Sequence, residues 1–561
     1  MAKTWFVGAK EAVLPPTQPG DRLIPLSAIA RTLIPGGGDS ALDVAAVELQ
    51  AGPSVLQDLA NFVALTRSRV SGAGWFQYGD HDLSSAFRRA DEAVAGFANQ
   101  RTAFESALAS ASTGPFEAWG ADAFQLAGLR AALGPVGSSP GVVAGGGARL
   151  RLPPRFLRKR VATSEERSDI LYLSLEPHVA RQQDRVLDLL SENRRIAAVS
   201  LQRSPWPWPG GTKFTVREHP SLISYLKPID ILKGAGAWTS RRILGPGPAP
   251  FPRWMPAQDA APWLRSTWLR AASVTEALVR AIQAHKPRLL LGTNLASGMG
   301  TVISKCAAHH GLAVLSLPTG ADYLLPPQFD PADVGGTTFV VPGEGIAARL
   351  REAGVPAERL LALGWPEIDG IASVRSSEVE RFREEFGLDA RRPLAVFFSS
   401  PSSASDGLVV PAQAKSRALQ LLAEACRLEG FQLAVKLHPR EGDGAIERLA
   451  ANLNPVPLVF SDRLPVLLHV ANVVASVGSA VSFAGVALGK VTVILESESI
   501  GPTAALFRSV GVGSQPRSLE ELSAFLRSAA SPSISHEGDS LWKADGKVAE
   551  RIRSAVDRLL G

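Results

Sequence analysis

The 561-residue sequence predicts an α/β protein of two tandem Rossmann-like doubly wound domains behind a mostly helical N-terminal extension. Two observations lead there. From Asp169 onward, short apolar runs alternate with segments of helical period, the pattern of a parallel sheet covered on both faces. Near residue 390 that pattern closes and starts again. Composition agrees: 45% hydrophobic and 20% charged residues suit a chain that buries cores.

Residues 1–132 open on a short strand, Trp5-Phe-Val7, and then read as helical. Pro53–Val70 and Leu83–Ser110 carry apolar residues at three- and four-residue spacing. Residues 133–165 have linker composition, with Gly134-Pro-Val-Gly-Ser-Ser-Pro-Gly141 and Gly145-Gly-Gly147 ahead of a basic run at Arg149, Arg151, Arg155, Arg158, Lys159 and Arg160. That run reads as a solvated connector or as a patch for phosphates and lipid head groups.

Residues 166–390 form the first predicted domain. Its strands are Ile170–Leu175, Ile196–Leu201, Lys213–Val216, Arg288–Gly292, Leu312–Leu317, Phe339–Val341 and Leu360–Leu363. Helices are expected at Val179–Leu190 and Gly298–His310, with a closing turn at Gly364-Trp-Pro-Glu-Ile-Asp369. A charged helix, Ser376–Phe386, leads to the second domain, residues 391–561. There the strands are Leu394–Phe398, Leu433–Leu437, Val456–Phe460, Val473–Ala475 and Val491–Leu495. The uncharged window Leu464–Gly489 has the length of a membrane span. Its Pro465, His469, Asn472, Gly478 and serines, and its change of period, point instead to a strand, turn and helix in a core.

Charge and cysteine content bound the partners. A net charge of +6 over 561 residues is too mild for a dedicated nucleic-acid binder. Cys306 and Cys426 stand far apart with no metal-ligand spacing around them, which excludes a disulfide scaffold or zinc ribbon and suits a reducing compartment. No signal segment precedes Pro15-Pro16, so a cytoplasmic location is expected.

Ligands of open parallel sheets sit beyond the carboxyl ends of strands, so the chemistry is sought there. After Leu437 comes His438-Pro-Arg440. Pro439 forces a turn, His438 can donate to a phosphate oxygen, and Arg440 offers a planar donor set. After Ala475 comes Ser476-Val-Gly-Ser-Ala-Val-Ser482, in which Gly478 permits close approach while Ser476, Ser479 and Ser482 supply hydroxyls. The hydroxyl-rich loop Ser399-Ser400 follows Phe398, and Glu496 after Leu495 is placed to accept from ribose hydroxyls. Each also has a bland reading, as turn residue, N-cap, loop filler or solvated carboxylate.

The succession Gly343-Glu-Gly345, Gly354-Val-Pro356, Gly364-Trp-Pro-x-x-Asp369, Lys436-Leu-His-Pro439, Ala471–Ser479 and Ala487-Leu-Gly-Lys490 resembles GT-B enzymes of bacterial capsular and surface polysaccharide assembly. These include Kdo and sialic acid transferases and teichoic acid polymerases. The resemblance covers roughly residues 290–500. It implies a glycosyltransferase whose C-terminal domain holds a nucleotide-activated sugar donor, a CMP-sugar among the options, by the phosphate. His438 and Pro439 match the first phosphate motif, and Ser476 and Ser479 approximate the second. The partners implied are that donor, a glycan or glycolipid acceptor, and a peripheral contact with the inner membrane surface; no nucleic acid and no cofactor are implied. No motif locates the base, so Glu344 and Asp322 are candidates by position, with Glu176 and His178 as another pair. The sole Asp-x-Asp, Asp80-His-Asp82, reads as an N-cap at Asp82 and not as a metal site. A CDP-glycerol-type glycerophosphotransferase, a nucleotide-sugar epimerase and a non-catalytic scaffold share the fold. The epimerase reading lacks its usual Ser-Gly-Gly turn, since Ser476-Val-Gly478 stands there.

Overall fold

The computed structural model describes residues 4–7, 22–25, 77–83, 116–119, 167–174, 183–201, 222–226, 230, 233–234, 236–237, 257–293, 295–296, 298–318, 334–400, 412–438, 445–479, 481–495, 513–529 and 545–561. Two compact units divide the chain: Met1–Lys159 with Pro228–Ala272 and Ser403–Pro411, and Arg160–Lys227 with Ser273–Ser402 and Ala412–Gly561.

In the first unit, β1 (Thr4–Val7), β2 (Arg22–Pro25) and, later, β5 (Phe116–Trp119) form a parallel sheet in the order β2-β1-β5. The strand expected at Trp5–Val7 is present, and two partners join it that helical spacing had not suggested. The predicted helices Pro53–Val70 and Leu83–Ser110 lie outside the described residues, apart from Leu83. A small hairpin pairs β3 (Gln77–Tyr78) with β4 (His81–Asp82). Asp82 is therefore a strand residue opposite Gln77 and not an N-cap; Gly79, at φ +57°, makes the tight reversal.

The second unit holds both doubly wound sheets. The first contains β6 (Ile170–Ser174), β7 (Ile196–Ser200), β8 (Leu289–Thr293), β9 (Ala313–Leu317), β10 (Thr337–Val341) and β11 (Leu360–Ala362), all parallel, in the order β11-β10-β9-β8-β6-β7. The strands are continuous apolar runs because both faces are covered: Leu171, Leu173 and Leu290 look one way, Ile170, Tyr172, Leu289 and Leu291 the other. Helix α1 (Asp184–Ser191) covers the latter face, while α2 (Ala257–His285) and α3 (Gly298–His309) cover the former. Helix α4 (Glu344–Glu352) follows β10. The expected turn at Gly364–Asp369 is instead the entry to a helix, α5 (Pro366–Ala372), because Pro366 sits in its first turn, where a missing N–H costs nothing. The proposed strand Lys213–Val216 lies outside the described residues.

After α6 (Ser376–Glu385), the second sheet comprises β12 (Leu394–Phe398), β13 (Gln432–Lys436), β14 (Leu458–Phe460), β15 (Val473–Ser476) and β16 (Val491–Ile494), parallel in the order β14-β13-β12-β15-β16. Its helices are α7 (Ala412–Glu429), α8 (Ala445–Ala450), α9 (Leu464–Val470), α10 (Val481–Ala487) and α11 (Leu519–Ala529). The uncharged window 464–489 is thus helix, strand, turn and helix, and no helix among the described residues is long and apolar enough to cross a membrane. One hydrophobic cluster runs from Phe339, Val341 and Leu350 through Trp365 and Ile368 to Leu394, Val396 and Phe398, so the two sheets share a packed joint.

The last helix, α12 (Val548–Leu560), departs from the boundary set at residue 391. Val548, Ala549, Ile552, Val556 and Leu560 form one apolar stripe buried with Ile170, Tyr172, Leu187 and Leu291 of the first sheet. The chain end thus completes the core of the domain it was not assigned to, since an amphipathic helix buries its stripe wherever a matching face is open. Both cysteines are free and buried, and burial pushes each thiol up to about 12, so neither is a ready nucleophile.

Candidate functional site

In the second sheet the chain runs from β12 outward to β13 and β14, then returns to the other side of β12 for β15 and β16. The strand order reverses between β12 and β15, and the crevice beyond their carboxyl ends is where open α/β sheets bind ligands. The register puts Phe398 beside both Lys436 and Ser476. The next residues, Ser399, Leu437 and Val477, therefore lie in one row across the edge, with His438 one step beyond. Sequence reasoning named three separate strand ends, and the topology makes them neighbours.

These ends are pinned by buried hydrogen bonds. Ser399 N donates to Lys436 O at 2.9 Å, and Ser400 Oγ donates to Val477 O at 3.4 Å. Lys415, in the first turn of α7 and only 1% exposed, donates from Nζ to Ser400 O at 3.0 Å. Lys436, also buried, turns its Nζ back to Leu437 O at 2.6 Å. Two lysine side chains thus lie under the row of serines. No motif visible in the sequence included Lys415, whose helix begins beyond the hydroxyl-rich loop and offers no spacing to His438. Lys436 was visible only as a strand residue.

The Ser476–Ser482 segment takes a different form from the one expected. Ser476 and Ser482 are fully buried, their hydroxyls 2.7 Å apart, and Ser479 N donates to Ser476 Oγ at 3.1 Å. These two hydroxyls tie the turn together instead of facing a ligand. Gly478, at φ +77°, makes the turn possible, and a side chain there would be strained. Ser479 Oγ accepts from Val481 N at 3.4 Å, so Ser479 caps α10 as its residue type suggests. Half-buried His438 stands just past β13. Pro439, Arg440 and Glu496 lie outside the described residues.

Of the base candidates, Glu344 is exposed in the first turn of α4 and ion-paired with Arg351 at 2.5 Å. It follows β10, two strands from the reversal point of the first sheet. Asp322, Glu176 and His178 lie outside the described residues. Lys490, part of the motif succession, belongs to the opposite edge. It precedes β16 and donates to His469 O, in the last turn of α9, at 2.7 Å. Burial, then the neighbouring Arg383 charge, lower its pKa.

Several solved structures are similar to this chain at low identity. A UDP-GlcNAc 2-epimerase from Neisseria meningitidis, solved with UDP-GlcNAc, is similar over 69% of this chain and 99% of its own, at 11% identity and a TM-score of 0.41. A glycosyltransferase from Rickettsia africae ESF-5 is similar over 70% and 93%, at 13% identity and 0.37. The wall teichoic acid polymerase TagF is similar over 71% and 91%, at 9% identity and 0.39. The likeness is one of general arrangement. No protein-family description matches the chain, and no curated protein does. The doubly wound assignment rests on the strand orders themselves.

Proposed function

We propose that the chain is a metal-independent transferase of the GT-B type, moving a sugar from a nucleotide-activated donor to a glycan or glycolipid acceptor in bacterial surface polysaccharide assembly. The observation that carries this reading is the row of Ser399, Ser400, His438 and Ser479 at the reversal of the second sheet, underlain by Lys415 and Lys436. A nucleoside phosphate suits such an edge. It brings negative charge to a place where turn amides and lysine Nζ groups are already fixed, so little reorganisation is needed.

In the reaction, the acceptor oxygen bonds the anomeric carbon as the bond from that carbon to the donor phosphate breaks. The electron pair stays on the phosphate, and the acceptor proton passes to a carboxylate of the first domain. His438 donates a hydrogen bond to the departing phosphate, and Arg440, two residues on in the sequence, supplies positive charge for it. The buried Ser476–Ser482 pair keeps the Gly478 turn in shape. Such a protein works in the cytoplasm, at the inner face of the membrane, where nucleotide donors are supplied. A CMP-sugar donor and a capsule product are the finer terms of the proposal.

The test is thermal stabilisation of the full chain by CMP, CDP, UDP, GDP and ADP, repeated with His438→Ala. A shift with one nucleotide, lost in the variant, is the expected result. No shift with any of them would favour a non-catalytic scaffold. A shift that survives unchanged in His438→Ala would remove His438 from the phosphate site.

A further inference from the structure

Gly364 stands between two sets of anchors. Up to that residue the chain is held by the first sheet. Gly364 N donates to Val341 O, at the end of β10, at 3.2 Å. Leu363 O accepts from Arg551 Nε of α12 at 2.6 Å, and α12 is buried against the same sheet. Beyond Gly364, α5 and α6 are held by α9 of the second sheet. His469, in the last turn of α9, meets Ile371 O of α5 through Nε2 at 2.7 Å. A carbonyl only accepts, so Nε2 carries the proton and donates. Arg383 of α6 donates from Nη2 to Val470 O at 3.2 Å. Lys490 Nζ, on His469 O at 2.7 Å, ties α9 in turn to the start of β16. The last carbonyls of a helix lack helical partners and favour a cation beside them, so this clamp uses groups that α9 leaves open.

Between the anchors the backbone is suited to turning. Gly364 has φ +114°, a conformation that residues with a side chain rarely adopt, and Trp365 is extended at φ −115° and ψ 115°. Trp365 is buried in the joint cluster, yet its Nε1 has no hydrogen-bond partner. A buried N–H left unpaired is a strain that the packing carries, and it falls on the residue that links the two anchor sets. The first sheet enters the joint through Phe339, Val341 and Leu350, whose contacts are apolar. Apolar contact has no preferred direction and survives a small slide, whereas a hydrogen bond weakens steeply as its angle closes. The directional bonds from His469 and Arg383 thus run between the second sheet's α9 and two helices that precede residue 391 in the chain.

We infer that α5 and α6 move with the second sheet as one body, and that the two sheets turn against each other about Gly364, with His469 and Arg383 as the latch. A hinge of this kind concentrates the change of backbone angle in a few residues. The inference needs no ligand and does not depend on the transferase reading. Its test is pulsed electron-spin distance measurement on the full chain, with spin labels on pairs drawn from Glu352→Cys in α4, Glu380→Cys in α6 and Gln420→Cys in α7, three exposed positions. Cys306 and Cys426 are buried, which keeps the label on the introduced thiols. The expected distance distribution is narrow for 380 with 420, and about twofold wider or more for 352 with either of them. Equal widths for all three pairs, or a narrow distribution only for 352 with 380, overturns the inference. Gly364→Ala, which cannot hold φ +114° without strain, is expected to move the 352–380 distance and leave 380–420 in place. His469→Ala combined with Arg383→Met is expected to widen the 380–420 distribution. His469→Gln alone, whose amide can still donate to Ile371 O, is expected to keep it narrow. A double variant that stays narrow removes the latch. The widths in the chain with native His469, Arg383 and Gly364 decide the pivot by themselves, so a variant that fails to fold leaves the test intact.

Discussion

At the scale of single residues, the second sheet's edge depends on polar atoms that satisfy each other out of water. Ser476 Oγ serves both Ser482 Oγ and Ser479 N, so removing it leaves a buried hydroxyl and a buried amide without their partner. Ser476→Ala is expected to cost ~1–3 kcal/mol in urea unfolding. Adding Ser482→Ala should cost little more, since the second change removes the group the first one orphaned. Lys415 carries a different expectation. Lys415→Met keeps most of the buried stem but gives up the Nζ bond to Ser400 O. Under the proposed function it weakens the stabilising nucleotide about tenfold or more, read as a rightward shift of the thermal titration. Equal nucleotide affinity in Lys415→Met and wild type would confine Lys415 to holding the loop.

At the scale of elements, α12 is the piece most open to test. Its stripe completes the first sheet's core, and around it Arg194 meets Asp557 at 2.9 Å, Arg553 meets Glu192 at 2.9 Å and Arg185 meets Glu550 at 3.2 Å. Those pairs are partly or wholly exposed and contribute little individually. The apolar stripe dominates. Ile552→Ala is expected to destabilise by ~2–5 kcal/mol, whereas breaking the Arg553–Glu192 pair stays within ~1 kcal/mol. A chemical-denaturation comparison of the two variants decides the order. The approach to α12 is pH-sensitive. Hydrogen bonds from Arg551, which also donates to Leu363 O, hold the Asp545 carboxyl down at about 2, below the usual carboxylate range. The folded state thus binds its proton later than the unfolded one. The stabilisation is complete above about pH 4 and fades as pH falls through about 2. Asp545→Asn should flatten that part of the stability profile, and an unchanged slope would remove Asp545 as its source.

At the scale of the whole molecule, the joint cluster through Trp365 and Ile368, together with the return of α12, ties the fate of the first sheet to the end of the chain. Removing residues 545–561 is expected to strip hydrogen-exchange protection from β6, β8 and β9 before it affects β12 and β13. Uniform loss in both sheets would show that the joint, and not α12, governs the cooperativity.

What the sequence determined by itself is the alternation. β6 to β10 and β12 to β16 were legible within a residue or two because buried parallel strands must be short apolar runs, and their ends mark where ligands approach. His438, Ser399, Ser400 and Ser479 were legible for the same reason. Local chemistry misread Gly364–Asp369 as a turn and Asp82 as a cap, since proline and aspartate suit several local structures and only their neighbours choose among them. The strand order, and with it the meeting of three strand ends, came from long-range pairing that no local pattern encodes. So did the mutual burial of Ser476 and Ser482, the reach of Lys415 across a loop to Ser400, and the docking of α12 (Val548–Leu560) on a sheet whose strands run from Ile170 to Ala362. Hydrogen bonds and apolar stripes recognise any suitable partner in space, so which partner they find is settled only when the whole chain is packed.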